Sequence, residues 1–243
     1  MSDKRAVLVV GAGDATGGAI AQRFARGGYV AVCTRRDIGR LQPLLDKIHE
    51  AGGEAHGFGS DARIEADVVA LFETIERDIA PLEVMVFNIG ANVNFPIRET
   101  TERVYRKVWE MAALGGFLAG REAARVMVPR GKGTIIFTGA TASMRGASGF
   151  SAFAGAKFAL RALAQSMARE LGPQGVHVAH SIIDGAIDTA WIAQNFPQRH
   201  ALKDQDGILN PDHIADAYWM LHAQPRDAWT HELDLRPWIE RMA

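Results

Sequence analysis

The sequence predicts an α/β fold: a single doubly wound parallel sheet with helices on both faces. Three observations lead there. Short, continuously apolar runs alternate with longer stretches of helical periodicity along the whole chain. Runs without an apolar/polar alternation are what strands buried on both faces require. No linker, repeat or low-complexity segment divides the 243 residues, so residues 1–243 read as one domain.

The elements follow in order. "AVLVV" (6–10) is a buried strand that stops at Gly11, and residues 17–26 form a helix ended by Gly27 and Gly28. "YVAVCT" (29–34) is the second strand, followed by a helix in "IGRLQPLLDKIHEA" (38–51) with Pro43 near its first turn. "AHGFGS" (55–60) is a short third strand, and residues 65–79 mix charged and apolar residues at helical spacing. "LEVMVFNI" (82–89) is the fourth strand; residues 101–127 form one long helix with Gly115, Gly116 and Gly120 as small contact points. "GTIIFTGA" (133–140) is the fifth strand, and the helix 151–171 closes at "LGPQG". "VHVAHSII" (176–183) is the sixth strand. Asn210 caps a helix over 211–222 that opens with Pro211, and "HELDLRP" (231–237) is a final edge strand. Right-handed crossovers turn this alternation into a Rossmann-type sheet. Its ligands are expected at the carboxyl ends of the strands, in the loops after strands one, four, five and six.

Lysine and arginine (27) nearly balance aspartate and glutamate (28), and no basic tail or patch is visible, which argues against a nucleic-acid partner. The apolar run 6–10 is too short to span a bilayer, and no signal-like segment precedes it. Cys33 has no second cysteine to pair with. The expectation is a cytoplasmic protein without membrane contact and without a metal site.

"VVGAGDATGGAIA" (9–21) joins the first strand to the first helix. Small residues at Gly11, Gly13 and Gly17, with Asp14, Ala15 and Thr16 between them, suit the approach of a pyrophosphate to a helix N-terminus. A branched side chain at Gly17 is expected to block that approach and leave the fold intact. After the second strand, Thr34–Arg35–Arg36 offers two guanidinium groups and no acid before Asp37. This suits a 2′-phosphate and favours NADP(H) over NAD(H), with Asp14 as a repelling counter-charge.

Taken together, several segments resemble the short-chain dehydrogenase/reductase family over nearly the whole chain. They are Gly11-x-x-x-Ala15-x-Gly17, Ser60–Asp61–Ala62, "FNIG" (87–90), "TGATAS" (138–143), Phe153-x-x-x-Lys157 and "DGAIDT" (184–189). The resemblance implies that the first loop holds the pyrophosphate and that Asp61, beside Ala62, meets the adenine. It implies that Asn88, Ile89 and Gly90 lie along the cofactor with Thr138 and Lys157 nearby, and that Gly185, Ile187 and Thr189 flank the nicotinamide. Ala15 stands for the middle glycine, Phe87 and Ile89 depart from the Asn-Asn-Ala-Gly segment, and Asp184 replaces a proline.

The catalytic positions depart further. The family's tyrosine position holds Phe153, its serine position Ala140 and its asparagine position Ala112; Lys157 alone is kept. This implies an atypical subgroup. One reading is an oxidoreductase acting on a small apolar carbonyl or alcohol with non-standard proton delivery. The other is a dinucleotide-binding pseudoenzyme with a regulatory role, or a structural partner of an active homologue. Thr141, Ser143 and Ser151 lie near the vacated positions, and His180 and Asp184 can titrate; His180 is more simply a strand histidine, Tyr105 a packing residue and Asp188–Thr189 a helix cap. Phe95, Met144, Phe150, Trp191 and Phe196 are candidates for an apolar pocket, with residues 186–210 as the substrate-loop region. The resemblance also implies a homodimer or homotetramer built on the helices near 101–127 and 151–171.

Overall fold

The computed structural model describes residues 4–240. Its strands are β1 (Ala6–Val10), β2 (Val30–Arg35), β3 (Ala55–Gly59), β4 (Leu82–Phe87), β5 (Gly133–Thr138), β6 (Val176–Ile183) and β7 (Glu232–Leu235). All neighbouring pairs are parallel, in the order β3-β2-β1-β4-β5-β6-β7. The expected edge strand is therefore present, as β7 beside β6.

Apolar residues of β1 alternate between two cores. Leu8 and Val10 join Met85, Phe87, Ile135 and Phe137 under the helices α3 (Glu65–Thr74), α5 (Gly115–Met127) and α6 (Ser151–Leu171). Val7 and Val9 join Val84, Val86 and Ile136 under α1 (Thr16–Arg26), α2 (Gln42–Glu50) and α9 (Pro211–Ala223). Each such side chain contributes about 1.5–3 kcal/mol by leaving water. This two-sided burial is why the strands carry no polar face.

Local chemistry sets the helix ends. Asn210 accepts from the Asp212 N–H at 2.8 Å, with Pro211 in the first turn. Thr101 caps α4 (Glu102–Trp109) by accepting from Val104 N–H. The expected single helix over 101–127 is interrupted: a wide π turn at Glu110–Leu114 joins α4 to α5. The segment after α3 ends in a second such turn, Ile75–Ile79. Strands four and five stop at Phe87 and Thr138, earlier than the apolar pattern suggests, because the chain turns out over the carboxyl edge there. No helix among the described residues is long and apolar enough to cross a membrane.

Strand order reverses between β1 and β4. The loops after these two strands meet: Asn88 Nδ2 donates to the Gly11 carbonyl at 3.2 Å, and Asn88 N–H to Val10 O at 2.8 Å. A crevice at such a reversal is where an open α/β sheet takes its ligand.

Candidate active site

Gly11 has φ +88°, and a side chain there would press on Ile89 and the Asn88 backbone. Gly11 N–H and Ala12 N–H both donate to the Thr34 carbonyl, tying the loop to the end of β2. Helix α1 begins at Thr16 after Ala15, with no side-chain cap and no acid in its first turn. Its first-turn N–H groups and positive dipole end therefore have no side-chain cap or first-turn acid to neutralise them. A Cβ added at Gly13 meets nothing within 4 Å, so this glycine borders open space. The residues present fit a dinucleotide pyrophosphate.

Gly17 behaves otherwise than expected. A Cβ there would overlap the Gly11 carbonyl and approach Ala12 Cα and Asn88 Nδ2 to 2.9 Å. Its smallness closes the loop onto the helix; the fold itself, and not only a ligand, depends on it.

At the far end of the crevice, Asp14 does more than repel. It pairs with Arg35 at 3.1 Å, leaving Arg36 exposed. Asp61 is bound by Arg63, whose guanidinium holds the carboxyl below its usual range, with Arg36 adding a smaller effect. Ala62 is buried against the position of Gly115. Gly90 borders open space.

At the other end, the residues that the resemblance sets at the catalytic positions lie in two apolar clusters and one buried lysine. Phe153 packs with Ala140, Ala142, Ala154 and Phe150. Ala112 lies fully buried within the π turn, against Val108, Ala152 and Ala156. Lys157 is 1% exposed; its Nζ donates to Thr138 O at 2.8 Å and Ile89 O at 3.2 Å and lies 5.9 Å from the Phe153 ring centroid. Burial pushes this ammonium down to about 8. Thr138 is held on its other side by the Tyr218 hydroxyl at 2.9 Å.

The candidate replacement groups are distributed unevenly. Ser143 Oγ accepts from Ala140 N–H at 3.1 Å and is buried. Ser151 Oγ is buried, and Tyr105 OH abuts Gly155 of α6, consistent with packing. His180 is fully buried beneath Gly139, and neither ring nitrogen has a hydrogen-bond partner among the described residues. Burial pushes it down to about 4, so at pH 7 it is a neutral imidazole and not an imidazolium acid. Its neighbour Glu232 is held down to about 2, chiefly by Arg161.

Asp184 is different. It is 1% exposed and accepts from Thr141 Oγ1 at 2.6 Å. Arg145 reaches it at 3.4 Å and Arg236 at 3.5 Å. Sequence patterns do not reveal Arg145 or Arg236; the register that sets β7 beside β6 brings Arg236 to this carboxylate.

Residues 186–210 fold into short helices closed by a single bridge. Gly185 has φ +152°, and Ile187 bridges Leu209. Thr189 caps α7 (Ala190–Asn195) by accepting from Ile192 N–H, and Asp188 pairs with His200 and Lys203. Helix α8 (Pro197–His200) follows. Trp191 and Phe196 make an exposed ring pair at 5.4 Å, while Phe95 and Met144 are exposed elsewhere at the carboxyl edge and Phe150 is partly buried.

A seven-stranded parallel sheet with a glycine-lined helix N-terminus at its reversal point defines a Rossmann-type α/β protein. The family model for short chain dehydrogenase matches residues 5–200, and the chain belongs to the short-chain dehydrogenase/reductase family. It is 30% identical over 223 residues to the (21S)-21-acetoxyl-apo-melianone synthase SDR of Melia azedarach, covering 88% of this chain and 80% of that one. Among solved structures it resembles a short-chain dehydrogenase from Rhodopseudomonas palustris, with 48% identity, TM-score 0.82 and coverage of 98% and 100%. It also resembles an alcohol dehydrogenase from the archaeon Thermococcus sibiricus complexed with 5-hydroxy-NADP, with 25% identity, TM-score 0.86 and coverage of 99% and 100%.

Proposed function

We propose that the protein is an NADP(H)-dependent oxidoreductase in which proton handling has moved away from the family's tyrosine. The observation that carries this is Lys157, kept charged-capable in full burial and fixed on two backbone carbonyls beside the crevice. A lysine with no ligand to meet is costly to bury. The uncapped α1 terminus and the open space at Gly13 would hold the pyrophosphate, and Arg36 with Arg35 the 2′-phosphate. A bound nicotinamide supplies hydride chemistry; this chain supplies binding, orientation and a dry apolar wall at Phe153, Ala140 and Ala112.

The vacated tyrosine and serine positions favour a second reading, a dinucleotide-sensing pseudoenzyme. Calorimetric titration with NADPH and NADH, followed by a panel of carbonyls and alcohols with the matching dinucleotide, separates the two. Measurable turnover supports the first; tight NADPH binding without any turnover supports the second. Absence of binding defeats both. Exposed Tyr105, Trp109 and Phe117 on α4 and α5 and Phe158 on α6 support a homo-oligomer through these helices, which sedimentation would test.

A further inference from the structure

We propose that Thr141, oriented by Asp184, meets the reacting oxygen of the substrate and selects an alcohol over a ketone. The inference rests on the oxidoreductase reading above and names its substrate class. Thr141 is partly exposed in the turn after β5, directly following Ala140 at the vacated serine position. Asp184 is the first residue after β6 and opens the 184–189 segment.

Hydrogen-bond polarity decides which substrate oxygen Thr141 can meet. A carboxylate only accepts, and a threonine hydroxyl has one proton. At 2.6 Å that proton is committed to Asp184 Oδ1. What Thr141 Oγ1 presents outward is lone pairs. An alcohol O–H donates to them, whereas a ketone oxygen has no proton to offer. In the family's arrangement the tyrosine and serine hydroxyls donate to the substrate oxygen, so the polarity here is reversed.

The surroundings fix this orientation. Arg145 at 3.4 Å and Arg236 at 3.5 Å flank the carboxylate, and Arg236 is itself anchored on Asp234. A hydrogen bond to a buried, charge-compensated carboxylate is stronger than one between neutral groups. Ser143 Oγ is buried and accepts from the Ala140 N–H, Phe153, Ala140 and Ala142 carry no polar side-chain atom, and the Arg145 and Arg236 guanidiniums are turned to Asp184. Thr141 is the proposed catalytic residue; Asp184 acts through it as a positioning residue.

Binding to non-reacting ternary complexes tests this without turnover. Calorimetry would follow 1-phenylethanol added to the protein–NADPH complex and acetophenone added to the protein–NADP⁺ complex. The wild type should bind the alcohol at least about ten-fold more tightly, the worth of one good hydrogen bond. Thr141→Val should remove that advantage and Thr141→Ser keep it. Asp184→Asn presents an amide that donates to Thr141 Oγ1 and frees its proton, so the ratio should move toward the ketone by about ten-fold. Thermal melts establish that each variant is folded, and the Thr141 pair decides the matter if Asp184→Asn does not fold. Equal affinities in the wild type, or a ratio unmoved by Thr141→Val, overturn the proposal. Binding of NADPH with neither probe bound also overturns it, yet leaves dinucleotide binding standing. Failure of NADPH itself to bind removes both.

Discussion

Lys157 and Thr138 are joined by a 2.8 Å hydrogen bond from the ammonium to the last carbonyl of β5. A fully buried charge is thereby held where water does not reach it, and its charged form is disfavoured relative to an exposed lysine.

The first prediction concerns what that burial costs. The ammonium titrates near 8 in the folded protein against an ordinary 10.5. The folded pKa is the lower one, so the unfolded chain binds the proton more tightly. The penalty is complete below pH 8, where both states are charged, and fades as pH rises from 8 to 10.5. That gap corresponds to at most about 3 kcal/mol. Wild-type stability should therefore rise from pH 8 to pH 10 relative to Lys157→Met, which has no ammonium to titrate and leaves the Thr138 and Ile89 carbonyls without this donor. The variant should also bind NADPH more weakly. A Tm difference between the two proteins that does not move with pH would refute this account.

The glycine loop gives the second. Gly13→Val faces open space and should fold normally while weakening dinucleotide binding at least ten-fold. Gly17→Ala collides with the Gly11 carbonyl and should destabilise the fold by about 1–3 kcal/mol. Chemical denaturation and calorimetry on both variants measure the two effects. A Gly17→Ala protein of wild-type stability would contradict the loop geometry.

Cofactor choice supplies the third. Asp14 engages Arg35 at 3.1 Å and adds a negative charge where a 2′-phosphate would come. Asp14→Asn should tighten NADPH roughly ten-fold, since charge-assisted bonds are worth about 1.5–3 kcal/mol, with NADH little changed. Arg36→Met should do the reverse. Loss of NADPH affinity in Asp14→Asn would mean that Asp14 positions Arg35 and does not compete for it.

The fourth restores the missing donors. Phe153 and Ala140 belong to one apolar cluster, with Lys157 one helical turn along. Phe153→Tyr with Ala140→Ser should raise carbonyl reduction by roughly 10²-fold, the lower end of general-acid effects. Lys157→Met in that background should abolish the gain. Faster reduction by the wild type than by the double variant would show that the tyrosine site is not where protons are delivered.

Most of the architecture was legible because it is local. Ala6–Val10, Ser151–Leu171 and Val176–Ile183 carry their own periodicity and their own stops, and the structure keeps those bounds. The four-residue spacing of Phe153 and Lys157 was legible too, since it sets both on one face of α6. The Asp14–Arg35 pair and the Thr141–Asp184 bond were not. They join residues 21 and 43 positions apart, and their approach depends on which strand lies beside which. The π turn at Glu110–Leu114 was hidden as well, since apolar periodicity barely registers a single wide turn.

That wide turn sets a phase. A π turn holds about one residue more than an α turn, and each residue rotates an α-helix by about 100°. Everything after Leu114 is therefore indexed to the extra residue. In this setting Gly116 faces Leu160, Gly120 faces Phe137 and Met167, and Phe117 faces solvent. Deleting one residue between 110 and 114 would heal the helix and swing those glycines off their partners, driving bulk into the seam with α6. Ala112→Asn keeps the count and so the phase of α5, and adds bulk only locally, against Ala152 and Ala156 of α6. The segment is thus far less tolerant of a change in length than of a substitution, because only the former resets every residue that follows.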